Sequence, residues 1–180
     1  MLSLRSKITQ AVLGHFMLHE GAELYVHEMA RRLSLDQGNL DRKLRELEKE
    51  GMLKSELRGR ERYYSLNASF PLFKEYKRIV LKTVGLEHLL REALRGLKGL
   101  RRLCIFGSYA EDKMDAASDI DLLALGDHDS LELQRRISQV KQSSGREINV
   151  IGMGLAEYER RRRSDPFLQS VHRGKRIQII

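Results

Sequence analysis

The fold of the second half of the chain is decided by residues 106–126, which read FGSYAEDKMDAASDIDLLALG. The apolar run that leads into this stretch predicts a buried strand, which ends at the turn Gly107-Ser108. A second strand is predicted to begin at Asp119. Because successive side chains on a strand point to opposite faces, Asp119 and Asp121 share one face, and the apolar residues that alternate with them point into the core.

This pair of aspartates predicts a metal site. Two carboxylates held side by side repel each other unless a cation lies between them, and oxygen atoms are the ligands that Mg²⁺ prefers. The Gly107-Ser108 turn adds backbone N–H groups and a hydroxyl, which suit a triphosphate whose oxygens also bind the metal. The residues themselves therefore predict binding of Mg²⁺ and a nucleoside triphosphate.

The GS turn followed by the DxD strand resembles the minimal (MNT-type) nucleotidyltransferases of the DNA polymerase beta superfamily. The resemblance extends over residues 86–180, where helices and strands are predicted in the order of that family. It implies that Gly107 and Ser108 bind the triphosphate, here taken as ATP, and that Asp119 and Asp121 coordinate two Mg²⁺ ions. It also implies transfer of a nucleoside monophosphate from the triphosphate to an acceptor.

One position departs from the pattern of this superfamily. The family uses a third carboxylate, on the next strand, to bind one metal and activate the attacking hydroxyl, and this sequence has Asn149 there. A neutral amide cannot act as a general base. Glu147 lies two residues earlier on the same face and is the candidate substitute, although two residues of strand correspond to ~6.6 Å. We therefore expect nucleotide binding, with Asn149 and Glu147 as the residues that decide whether catalysis occurs.

The first third of the chain shows a different pattern. Apolar residues at helical spacing predict a helix over residues 6–19, a second over 26–33 and a third that begins after the N-cap Asp36. Two short strands around a basic turn follow. Roughly residues 4–67 resemble the winged helix-turn-helix domain of ArsR- and MarR-type regulators. The resemblance is carried by residues 26–67, VHEMARRLSLDQGNLDRKLRELEKEGMLKSELRGRERYYSLN.

This second resemblance implies an interface with double-stranded DNA. Placing the leucines of the third helix inward points its basic side chains outward, where they could enter a major groove, and the hairpin would place its arginines on phosphates or in the minor groove. The predicted DNA-binding residues are Asn39, Arg42, Arg45, Arg58, Arg60 and Arg62. The alternative for the helix is an exposed face on which Arg42, Arg45 and Lys49 pair with Glu46 and Glu48.

The predicted fold class is α+β, with an N-terminal winged helix-turn-helix domain and a small α/β nucleotidyltransferase-like domain that has a mixed sheet. The predicted limits are residues 1–67 for the first domain, 68–85 for a helical linker and 86–180 for the second domain. The linker carries an apolar stripe, Phe73, Val80 and Val84. This stripe predicts a homodimer interface, and packing within the monomer is the alternative.

Composition excludes several classes of protein. The chain has 180 residues with 41% hydrophobic and 32% charged side chains, which is typical of a folded protein rather than a disordered or fibrous one. No apolar run approaches the ~20 residues of a transmembrane helix, and the single cysteine excludes an internal disulfide. We therefore expect a cytoplasmic protein without a membrane partner. The formal net charge of +8 favours a polyanionic partner.

Three functions fit these features. The first is a DNA-binding transcriptional regulator whose second domain binds Mg²⁺ and nucleoside triphosphate and serves either for ligand sensing or for transfer of a nucleoside monophosphate. The second is an active nucleotidyltransferase that uses the winged helix as a partner-binding module. The third is an antitoxin-like role, because the nucleotidyltransferases that this sequence resembles often accompany HEPN toxins and modify them.

Overall fold

The computed structural model of the protein describes residues 4–115 and 118–180. The chain divides into two compact units, with the boundary between His88 and Leu89. The predicted linker, residues 68–85, falls within the first unit. The predicted boundary between linker and second domain lies three residues before the boundary between the units.

In its described residues the first unit contains four complete helices and a small antiparallel sheet. The helices are α1 (Lys7–Leu18), α2 (Val26–Leu33), α3 (Gln37–Lys49) and α4 (Phe73–Thr83). The strands are β1 (Leu24–Tyr25), β2 (Leu53–Arg58) and β3 (Glu61–Leu66), in the spatial order β1-β3-β2. The predicted helices and hairpin are present, whereas β1 was not predicted because two residues carry no periodic signal. The assignment of this unit as a winged helix-turn-helix stays a prediction.

Local capping explains where these helices begin. Ser6 accepts a hydrogen bond from the backbone N–H of Thr9 at 3.4 Å, and Asp36 accepts one from the N–H of Asn39 at 2.9 Å. Such bonds satisfy backbone donors that have no partner inside the helix. Leucines at positions 40, 44 and 47 are buried, as the stripe of α3 predicts.

One residue of the stripe predicted as a dimer face, Val80, is instead buried inside the first unit. Val80 is completely buried within the described chain, and α4 packs against α1. Phe73 and Val84 are half-buried. Because it is buried, Val80 belongs to the core of the first unit. The prediction failed there because an apolar stripe looks the same in the sequence whether it packs within the chain or against a second copy. The large exposed apolar side chain of α4 is Ile79, at 46%.

The second unit contains a four-stranded mixed sheet. Its strands are β4 (Leu100–Phe106), β5 (Ile120–Gly126), β6 (Ile148–Met153) and β7 (Ile177–Gln178), in the order β6-β5-β4-β7. Strands β5 and β6 are parallel, and β4 is antiparallel to both β5 and β7. The helices are α6 (Gly107–Ala110), α7 (Ser130–Ser144), α8 (Leu155–Arg161) and α9 (Pro166–Arg173), and α5 (Leu86–Leu94) spans the boundary. The predicted α+β class with a mixed sheet is confirmed.

One face of this sheet carries both a hydrophobic cluster and the predicted site. Strand residues Cys104, Phe106, Leu123, Leu125 and Met153 pack there with Tyr158 of α8 and with Leu168 and Val171 of α9. Alternation along β5 puts Asp121 on the same face as Leu123. The aspartates therefore lie on the face of the sheet that α8 and α9 cover, next to the hydrophobic cluster. No helix of the described ranges is long and apolar enough to cross a bilayer.

Candidate active site

The site is built around the turn between β4 and α6. Gly107 has a φ of +69°, in the left-handed region. A Cβ atom at this position would lie 2.8 Å from Oδ2 of Asp121, closer than real contacts allow. Only glycine therefore permits both this backbone conformation and this approach of the carboxylate. Ser108 is half-buried, and its carbonyl accepts a hydrogen bond from the N–H of Lys113 at 2.9 Å.

The two aspartates lie at the start of β5. The strand begins at Ile120, one residue later than predicted, so that Asp119 directly precedes it and is exposed. Asp121 is half-buried and lies opposite Phe106 of β4. Ile120 and Leu122 are completely buried, as the predicted alternation requires.

Asn149 lies beside both aspartates. It is in register with Asp121 across the parallel pair β5–β6, and its Nδ2 donates a hydrogen bond to Oδ2 of Asp119 at 3.3 Å. Neighbours in register share a face of the sheet, so the three side chains form one group next to Gly107. The structure thus places an amide beside the carboxylate pair at the predicted third position.

Glu147, the candidate substitute, has a different partner. It precedes β6, and its exposed carboxylate forms an ion pair with Lys141 of α7. Its backbone carbonyl accepts a hydrogen bond from the N–H of Ile120 at 2.9 Å. The side chain that could replace Asn149 is therefore engaged by a lysine.

The donors at this site fit Mg²⁺ when a nucleotide shares it. Within residues 4–115 and 118–180, no group of three or more His, Cys, Asp or Glu side chains is placed to hold a metal ion. Asp119, Asp121 and Asn149 offer oxygen donors only, and Mg²⁺ is usually held by one or two carboxylates together with substrate phosphates. Because Gly107 has no side chain, the carboxylate of Asp121 has room beside the turn. The residues present therefore fit a Mg²⁺ site completed by phosphate.

Comparison with known proteins agrees with this geometry. The family model described as "Nucleotidyltransferase domain" matches residues 88–177, which is half of the chain. The chain belongs to this family. No curated protein sequence gives a significant match to it.

Two solved structures resemble this nucleotidyltransferase-domain chain weakly. A mutant of the toxin-antitoxin MntA-HpeT is 15% identical, with a TM-score of 0.40, over 52% of this chain and 72% of that one. A toxin-antitoxin solved with AMP-PNP is 19% identical, with a TM-score of 0.38 and the same shares of the two chains.

A buried arginine of the nucleotidyltransferase domain was missed in the sequence. Arg146 is only 6% exposed, and its Nη2 donates a hydrogen bond to the carbonyl of Asp115 at 2.7 Å. Burial lowers the pKa of this guanidinium, and the charges of Asp115 and Asp119 oppose that effect. Arg146, two residues before β6, is therefore tied to Asp115. Nothing in the sequence distinguishes it from the chain's many exposed arginines.

On α3 of the first unit, the predicted DNA-binding side chains are exposed but have protein partners. Arg42 donates a hydrogen bond to Oδ1 of Asn39 at 3.1 Å, and Arg45 pairs with Asp41 at 3.0 Å. Ion pairing on this helix was the alternative prediction, but the partners differ from those expected. Glu46 pairs with Lys43, and Glu48 contacts the hairpin.

On the hairpin, two of the three predicted arginines are also paired. Arg58 pairs with Glu23 at 2.7 Å and with Glu56 at 2.5 Å, and it lies 5.0 Å from the centre of a tyrosine ring. These hydrogen bonds raise the pKa of Arg58. Arg62 donates to the Ser55 hydroxyl at 2.9 Å. Arg60 has no ion pair within the part of the chain that the structure describes.

Proposed function

We propose that the second unit binds Mg²⁺ and a nucleoside triphosphate, ATP being the predicted nucleotide, and transfers the nucleoside monophosphate to an acceptor hydroxyl. The observation that carries this proposal is the group formed by Asp119, Asp121 and Asn149 beside Gly107. A Cβ at residue 107 would collide with Oδ2 of Asp121, and Asn149 donates a hydrogen bond to Asp119. The family match supports the same reaction.

Each residue of the group has a distinct role in the proposed reaction. Asp119 and Asp121 would hold Mg²⁺, which supplies positive charge to neutralise the phosphates. The Ser108 hydroxyl and the backbone of the Gly107 turn would bind phosphate oxygens. The acceptor oxygen forms a bond to the α-phosphorus, the bond from that phosphorus to the bridging oxygen breaks, and pyrophosphate leaves.

Asn149 determines how fast this transfer can be. Its amide cannot take the proton that the acceptor hydroxyl loses, so this proton passes to solvent unless another base is present. The hydrogen bond to Asp119 gives Asn149 a positioning role instead. We therefore propose slow transfer with intact nucleotide binding.

Incubation with each α-³²P-labelled nucleoside triphosphate and Mg²⁺, with and without cell lysate, tests this function. The proposed transfer is supported if label appears on a protein, nucleic acid or small molecule and if EDTA prevents this labelling. Nucleotide binding without label transfer would leave the site as a sensor. Absence of both would overturn the proposal.

A second candidate function is regulation of transcription through DNA. The exposed arginines of α3 and the hairpin, of which Arg60 has no ion pair among the described residues, favour this candidate. A mobility shift with genomic fragments at low salt tests it, and failure to retain any fragment would exclude it.

The predicted protein partners remain proposals. A homodimer should scatter light as about twice the 20.9 kDa chain mass. The exposed Ile79 of α4 replaces Val80 as the residue to change, and Ile79→Glu should give a monomer. A HEPN-type toxin partner would be encoded beside this gene and would co-purify with the tagged chain.

A further inference from the structure

The segment between α9 and β7 lies at the same end of the sheet as the Gly107 turn, where β4 ends and β7 begins. Strand β7 pairs with β4 so that Gln178 lies opposite Cys104 and Ile177 opposite Ile105. Each step back along an antiparallel strand moves one step forward on its neighbour. Strand β7 begins at Ile177 and β4 ends at Phe106, so Lys175 and Arg176 directly precede β7 at the end of the sheet where β4 meets Gly107.

The two flanks of the turn therefore carry opposite charges. On the β5 side, the carboxylate of Asp121 lies against Gly107. On the β7 side, Lys175 and Arg176 are both exposed. Neighbouring strands are about 4.8 Å apart, so two spacings of roughly 10 Å separate β5, which carries the aspartate, from β7, which follows the cations. Long lysine and arginine side chains can cover part of that distance.

The electrostatic surroundings agree with this placement. The pKa of Glu111, which follows α6, is lowered mainly by its hydrogen bond with Lys113, and the charge of Lys175 adds to this effect. Burial raises the pKa of the Cys104 thiol, and the charge of Arg176 opposes this rise. Lys175 thus acts on the residue that follows α6, and Arg176 acts on a residue of β4.

Lys175 and Arg176 are also free to bind an external anion. Neither has an ion pair within the described residues, whereas Arg161, at the end of α8, and Arg162, which follows it, are both paired with carboxylates. Exposed cations without an acidic partner keep their full attraction for phosphate, and two adjacent donors can hold two phosphate groups.

We infer that Lys175 and Arg176 bind the β- and γ-phosphates of the nucleoside triphosphate, on the side of Gly107 opposite the aspartates. This inference rests on the proposed function, because it assigns two further residues to the same nucleotide site. The triphosphate then runs from the Mg²⁺ ligands Asp119 and Asp121 across the turn to the β7 edge. The cations select a triphosphate over a monophosphate.

Calorimetric titration of the full chain with ATP and with AMP, each with Mg²⁺, tests this assignment. The double variant Lys175→Ala/Arg176→Ala should weaken ATP binding by about 10- to 100-fold, because two charge-assisted hydrogen bonds are lost. AMP lacks the two outer phosphates, so its binding should change by less than about threefold. The swap Lys175→Arg/Arg176→Lys keeps both charges and should restore most of the ATP affinity.

The matched control removes the same two charges at the other end of β4. Lys98 and Arg101 are exposed and have no ion pair among the described residues, and Lys98→Ala/Arg101→Ala should bind ATP as the wild type does. Thermal unfolding of each variant without nucleotide checks that its fold is intact.

The outcomes separate the inference from the function on which it rests. If the wild type binds no ATP, the proposed function fails and the inference fails with it. If the wild type binds ATP and the Lys175/Arg176 variant binds it equally well, the inference alone is wrong. Equal losses for ATP and AMP, or equal losses in the control variant, would also overturn it.

Discussion

The arginines of the first unit and the aspartates of the second are both charged sets that reach the surface, but their surroundings are opposite. Arg45, Arg58 and Arg62 each have an acidic or hydroxyl partner within their own unit. Asp119 and Asp121 have a glycine and an amide as neighbours and no ion pair in the described part of the chain. A paired charge attracts an external ligand less than an unpaired one does. The aspartates are therefore better placed to bind a cation than these arginines are to bind an anion.

The strongest test of this comparison is Asp121→Asn. Removing one of two carboxylates should weaken Mg²⁺-dependent ATP binding by more than about 100-fold, because the metal loses a charged ligand beside the phosphates. The control is Asp127→Asn, at an exposed aspartate beyond the other end of β5. Titration with and without EDTA measures the effect. Equal binding by both variants would show that the aspartates hold no metal.

The next largest effect is expected for Asn149→Asp. A carboxylate at this position restores a general base beside Asp119, and a positioned base typically contributes ~10²-fold or more. The rate of label transfer should rise accordingly, and Asn149→Ser, which adds no base, should not raise it. A fast wild type that Asn149→Asp leaves unchanged would mean that no third carboxylate is needed, and Glu147 would then be the residue to change.

Substitution of Gly107 and of Gly96 distinguishes two effects, the loss of space for the Asp121 carboxylate and the cost of a positive φ alone. Both have positive φ, +69° and +71°, but an added Cβ meets Asp121 only at Gly107, whereas Gly96 has open space. Each change to alanine should cost about 1 kcal/mol of the free energy of unfolding. Only Gly107→Ala should also weaken Mg²⁺-ATP binding, by about 10-fold, because it displaces the carboxylate. Equal nucleotide affinity in the two variants would contradict the close approach.

The smallest effect distinguishes two arginines of the hairpin. If the first unit binds DNA, Arg60→Ala should weaken binding about threefold at low salt and reduce the salt slope by about one, because an unpaired cation is lost. Arg58→Ala should have a smaller effect, since Glu23 and Glu56 already neutralise this side chain. Binding measured over a salt series compares the two. A larger effect of Arg58→Ala would mean that its ion pairs open on DNA.

Much of the fold could be predicted because the signals that decide it are local. Asp36 caps α3 through a hydrogen bond to a residue three positions away, and the alternation around Ile120 already separates the carboxylates from the core. The stripe of α4 was ambiguous, because Phe73, Val80 and Val84 have the same spacing whether they face another helix of this chain or a second copy. Only packing against α1 decides that Val80 is internal.

The sequence by itself determined the turn at Gly107, the strand that carries Asp121 and the basic character of the hairpin, because each depends on residues a few positions apart. The tertiary structure decided which distant residues meet these features. It joined Asn149 to Asp119 across 30 positions, Arg58 to Glu23 across 35, and the register of β7 to that of β4. The order of strands in a sheet depends on how the whole core packs, so no local pattern could reveal that β7, which follows Lys175 and Arg176, pairs with β4.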